Sequence, residues 1–143
     1  MATARIHLIP AREAPVVAVF RRGPSKQVAL LEWNLTHDSV RLGQWLKGRI
    51  YPRRADLSPD GKHLIYFAAN HRPTDPFGGS WTAVSRMPYL TALQLFGWGH
   101  CWNGGGLFLN NRDYWLNGGG TDGPDAEVNC NLRRVMTAPS GWP

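Results

Sequence analysis

Cysteine, charge and long apolar runs are all scarce in this chain. Two cysteines, Cys101 and Cys130, stand among 143 residues. That is too few for a disulfide scaffold and fits a reducing setting. Charged residues make up 18% of the chain, which is low, while 43% is apolar, which is ordinary. No apolar run approaches the ~20 residues of a membrane-spanning helix. The opening segment "MATARIHLIPAREAP" lacks the basic-then-apolar order of a secretory signal. A soluble, cytoplasmic protein without a membrane partner is the expectation.

Glycine, proline and tryptophan, in contrast, are plentiful, at 16, 11 and 7 residues. That mixture favours many short strands joined by tight turns over long helices. The clearest hairpin is "RIYPRRADLSPDGKHLIYFAAN", residues 49–70. Two apolar runs flank Ser58-Pro59-Asp60-Gly61. There Pro presets φ, Asp bonds the local backbone, and Gly accepts a left-handed exit.

Strand-like segments then recur. "VVAVF" from Val16, "HLIYF" from His63 and "DYWLN" from Asp113 repeat at an interval of about 50 residues. Each follows another strand: "RIHLIP", "RIYPRRADL" and "GGGLFLNN". After the first pair come "KQVALLEWNL" and "VRLGQWL" around a polar Thr36–Ser39 turn. After the second come "SWTAVSR" and "YLTALQLF". After the third comes "AEVNCNL", where Ala126, Val128, Cys130 and Leu132 alternate as one strand face. The expectation is one β domain over 1–143, with units at 4–46, 49–96 and 104–134 and a tail at 135–143. Four strands per period of this length is the arithmetic of a β-propeller.

"LEWNL", a following strand and "ADLSPDGKHLIYFA" resemble the WD-like β-propeller repeat. In that family an aromatic–acidic pair ends a blade's third strand, and "SPDG" joins the first two strands of the next. Here Trp33-Asn34 stands where Trp-Asp is usual, whereas Ser58, Pro59, Asp60 and Gly61 match fully. The resemblance covers residues 28–70; the third unit lacks both the turn motif and the Trp-Asp pair. It implies that Asp56 ties turns together by hydrogen bonds, making Asp56 and the 58–61 turn structural. The fold expected is all-β: an incomplete propeller arc of about three four-stranded antiparallel blades, with a β-sandwich as the alternative. Closed propellers use about 4–8 blades. Three blades therefore leave the arc incomplete: a second copy closing a ring as a homodimer, a protein supplying further blades, or a longer protein of which this is a shortened form would complete it.

Candidate sites are few. "GWGHCW" places Trp98, His100 and Trp102 in a glycine-rich loop. They could form an aromatic platform for carbohydrate or single-stranded nucleic acid, or pack a join between sheets. His100 and Cys101 with Cys130 or His71 lack the ligand spacing of a zinc site, and neither metal nor cofactor is expected. "NGGGTDGPD", residues 117–125, reads as a long turn, since no Lys-Ser/Thr follows it and its acidic residues are too sparse for a calcium loop.

The net charge of +6 is uneven, because of the 16 Lys/Arg only Arg86, Arg112, Arg133 and Arg134 lie beyond residue 72. Arg21, Arg22, Lys47 and Arg49 fall near strand ends and form a candidate basic rim. Nucleic acid is a possible partner there, but a solvated face or an acidic protein is favoured. Arg53 and Arg54, adjacent on a strand, would point to opposite faces. No catalytic residue emerges. Ser58 has a turn to make, and His37-Asp38 is an exposed turn pair. The favoured function is a non-catalytic interaction or scaffold module. The alternatives are the Trp-lined binding module and an enzyme of unknown, perhaps hydrolytic, reaction.

Overall fold

Alternation of apolar residues produces strands throughout the computed structural model, which describes residues 3–72, 74–118 and 123–140. Among these residues the chain is all-β, and the strands lie in three sheets. No described helix is long and apolar enough to cross a membrane.

The first sheet is an antiparallel meander of β1 (Arg5–Pro10), β2 (Val16–Arg22), β3 (Gln27–Asn34) and β4 (Ser39–Lys47). The β3–β4 turn is set by Asn34, whose Oδ1 accepts the Thr36 and His37 N–H groups at 2.9 and 3.2 Å. Trp33 Nε1 donates to Asp38 at 3.0 Å across the same turn.

The second sheet is built around β7 (His63–Ala69), with β8 (Ser80–Arg86) and β9 (Ala92–Gly97) on one side. Its other neighbour is broken in two: β5 (Arg49–Ile50) pairs with the end of β7, and β6 (Asp56–Leu57) with its start. Between them lies a 3-10 turn, Pro52–Arg54. The continuous strand expected over "RIYPRRADL" is thus interrupted. Pro52 opens the turn because it has no N–H for the ladder and its φ suits a first helical position. Arg53 and Arg54 therefore do not alternate across a strand.

The third sheet joins β10 (Gly106–Phe108) and β11 (Asp113–Leu116) antiparallel, with β13 (Arg133–Val135) parallel to β11. The strand expected over 126–132 is cut to β12 (Ala126–Glu127), which pairs with β9 of the second sheet instead. Val128 and Leu132 then diverge: Val128 is exposed and Leu132 is buried. The turn expected over 117–125 includes 119–122, and the expected tail includes 141–143; both stretches lie outside the described residues.

Two cores hold the layers. Ala18, Phe20, Val28 and Leu30 of the first sheet pack on Ile50, Leu64, Tyr66 and Ala68 of the second. Ile65, Val84 and Phe96 of the second pack on Phe108, Tyr114 and Leu116 of the third. Strand β7 sends Leu64, Tyr66 and Ala68 to one core and Ile65 to the other. This is why "HLIYFAA" reads as an apolar run and not as an alternation. The buried tyrosines are anchored: Tyr66 donates to the Leu90 carbonyl and Tyr114 to Gln94 Oε1. Burial pushes the Tyr66 phenol up to about 12.

Candidate functional site

Three places gather the residues singled out above, and each uses them differently.

At the "SPDG" end, all three sheets are stitched together. Ser58 is fully buried; its Oγ donates to Asp60 Oδ1 at 2.7 Å and accepts the His63 N–H at 3.0 Å. Gly61, at φ +75°, donates its N–H to the Ser58 carbonyl. From the first sheet, the Glu13 N–H reaches the Pro59 carbonyl at 2.9 Å. From the third, Asn111 Oδ1 accepts the Asp60 N–H at 2.8 Å. Asp56 repeats the pattern: its Oδ2 accepts the buried Phe108 N–H at 2.7 Å, while Arg12 donates to the Phe108 carbonyl at 3.0 Å. Burial raises the Asp56 carboxyl above its ordinary range, and the Phe108 N–H and the Arg12 charge pull it back. These groups satisfy one another, while His63 Nδ1 beside them is buried without a hydrogen-bond partner.

The "GWGHCWNGGG" loop folds back on the second sheet. Trp98 is half-buried against the second core, edge-on to Phe67 with ring centres 6.4 Å apart, and its Nε1 donates to Asn103 Oδ1. Trp102 is 90% exposed and His100 is exposed, with the His100 carbonyl accepting from Ser80 Oγ. The Trp102 N–H lies 3.4 Å from His100 Nδ1, so these two exposed residues are neighbours. Trp98 is committed to packing. Arg54 is the staple here: its guanidinium lies 4.7 Å from the Tyr51 ring centre and 5.3 Å from that of Phe67. It donates to the Cys101 and Asn103 carbonyls at 3.0 and 3.1 Å. The cysteines are free, and no three His, Cys, Asp or Glu side chains converge as metal ligands among the described residues.

At the opposite rim the seam between the first and second sheets opens into two adjoining clefts of about 800 and 500 Å³, both lined by Arg5, Arg22 and Arg49. Lys26 and His71 line the larger one; Tyr51 and Arg53 line the smaller. Among the described residues neither lining contains an Asp or Glu. Of the basic rim read from the sequence, Arg22 and Arg49 line the clefts. Arg21 and Lys47 do not; Arg21 is adjacent to Arg22 on β2 and so points to the other face. Arg5 and Lys26 were missed. The signal available was the antiparallel register, which sets Arg5 directly opposite Arg22.

The outer face of the first sheet is the remaining unusual surface. Register places Ile6, Arg21, Ala29 and Trp45 in one row, Leu8, Val19, Leu31 and Leu42 in the next, and Pro10, Val17, Trp33 and Val40 in a third. Ile6 is 65% exposed, Val40 59%, Leu42 53% and Trp45 48%. A bulge opposite Leu30 lets both Leu42 and Trp45 point outward. The residues left inside it dock on the β8–β9 turn: Gln44 Oε1 accepts the Leu90 and Thr91 N–H groups at 2.6 and 2.8 Å.

Compared with protein-family models, curated proteins and solved structures, the chain matches none.

Proposed function

We propose that this chain is a non-catalytic interaction module, an arc of three propeller-type blades that self-associates through its two end sheets. One observation carries the reading: apart from Arg21 the outer face of the first sheet is apolar, and Ile6, Leu8, Val40, Leu42 and Trp45 on it stand in water. Contiguous exposed apolar surface of this kind marks an association site. Each large aliphatic side chain moved fully out of water contributes about 1.5–3 kcal/mol.

A second copy is the occupant that fits. The far end of the stack also presents an apolar row, Leu107, Trp115 and Val135, on the outer side of the third sheet. First-sheet face against third-sheet face, repeated by a two-fold axis, closes a ring with no end face left over. The meander of the first sheet, and the position of Ser58–Gly61 between the first two strands of the second, support the propeller arrangement.

The test is native mass by light scattering at two concentrations, on wild type, Leu42→Asp and Leu107→Asp. Ring closure requires about twice 16.0 kDa for the wild type and monomers for both variants. Loss of association in Leu42→Asp alone would mean that two first sheets pack face to face. A monomeric wild type at high concentration overturns self-association altogether.

A further inference from the structure

We infer that the paired clefts between the first and second sheets form a binding site for the phosphodiester backbone of single-stranded nucleic acid. The inference is separable from self-association: Ile6 belongs both to the outer apolar rows and to the smaller cleft, but Arg5, Arg22, Lys26 and Arg49 belong to none of those rows.

The argument starts from a cost. Arg5 and Arg22 are direct cross-strand partners, and like charges placed opposite each other destabilise a sheet. Lys26 and Arg49 line the same larger cleft, which adds to the repulsion. No described acid lines the site, and the two ion pairs formed among the described residues, Arg41–Glu32 and Arg133–Asp113, lie elsewhere. A concave surface with several uncompensated cations is stabilised when an anion fills it.

The kind of anion follows from the shape and the lining. The two clefts share Arg5, Arg22 and Arg49 and continue into each other, with Arg53 at the far end of the smaller, where Arg54 is held by the Cys101 and Asn103 carbonyls. Charges strung along such a trough suit a chain of phosphates better than one small anion. Guanidinium groups bind phosphate oxygens in pairs. Of the described side chains lining the larger cleft, those of Pro24 and Ala69 are apolar and the rest, glycines aside, are polar or charged, which suits a chain of phosphates. Stacking contributes little, since the Tyr51 ring already carries Arg49 and Arg54 guanidinium groups at 4.5 and 4.7 Å. Binding is therefore salt-dependent and indifferent to base sequence.

The experiment is fluorescence anisotropy of a labelled oligodeoxythymidine of about 20 nucleotides. Four phosphate contacts at a salt slope of about −0.7 each predict about 50-fold weaker binding at about 200 mM salt than at about 50 mM. Arg22→Glu is expected to weaken binding at least about 10-fold at low salt. Arg112→Glu, the same charge change on the β10–β11 turn, is expected to weaken it less than about 2-fold. Arg22→Gln provides a second readout: it weakens binding yet raises Tm by about 1–3 °C, because it relieves the Arg5–Arg22 repulsion. Equal effects of Arg22→Glu and Arg112→Glu would overturn the site. So would affinity that ignores salt. Displacement of the oligonucleotide by polyglutamate at equal charge would assign the clefts to an acidic protein instead.

Discussion

Asp56 and His63 lie seven residues apart on one hairpin, yet burial acts on them in opposite senses. The Asp56 carboxylate is the acceptor for a buried N–H, that of Phe108. Asp56→Ala leaves that donor unpaired and should cost about 2 kcal/mol in urea unfolding. Asp56→Asn keeps an acceptor oxygen and should cost less than half as much; equal losses would show that charge, not hydrogen bonding, holds the joint. For His63, burial disfavours the imidazolium and lowers its pKa below the ordinary 6.5. The folded protein then binds the proton less tightly than the unfolded chain. Its contribution to stability is intact above about pH 6.5 and falls as pH drops through that value toward the lowered native one. Unfolding curves at about pH 7.5 and about pH 5.5 should therefore show lower stability at the acid end, and His63→Gln should shrink the difference.

At the scale of elements, the glycines of the 98–106 loop matter by close approach. A Cβ on Gly105 would sit 1.9 Å from the Arg54 carbonyl oxygen, at φ +76°, while its N–H donates to buried Thr82 Oγ1 at 3.0 Å. Gly105→Ala combines backbone strain with a clash on rigid backbone and should cost about 3 kcal/mol or more. Tryptophan emission should shift to the red as the loop lifts and Trp98 leaves its half-buried place on Phe67. Gly99, with nothing near its Cβ position, serves as the contrast: Gly99→Ala suffers only from its φ of +78° and should cost about 1 kcal/mol. Equal losses at the two sites would show that the contact with Arg54 carries no weight. The hairpins were legible at this scale because Ser58–Gly61 and Asn34–Asp38 carry their own turn chemistry. The break at Pro52–Arg54 was signalled by Pro52, but the alternation around it concealed the signal.

Three stacked layers give the whole molecule two cores and two end faces. Leu42 lies on the outer face of the first sheet and lines neither cationic cleft, so Leu42→Asp should abolish association and leave oligonucleotide affinity within about 2-fold. Native mass and anisotropy measured on the same preparation check this. Loss of both together would mean that the clefts form only in the assembled state.

Period-two alternation, turn residues and the uneven distribution of basic residues made the strands, the hairpins and the basic half readable from the chain alone. These are local properties, decided by neighbours a few residues apart. What lies across from what was not local. The bulge in β4 turned Trp45 to the outer face with Leu42, and the register of β1 on β2 set Arg5 against Arg22. Residues 126–127 joined the second sheet because β9 offered them a free edge there, and Arg133–Val135 took the place beside β11. Hydrogen-bond partners in a sheet are chosen by packing between segments distant in sequence. The cationic cleft and the apolar end face arise from that choice.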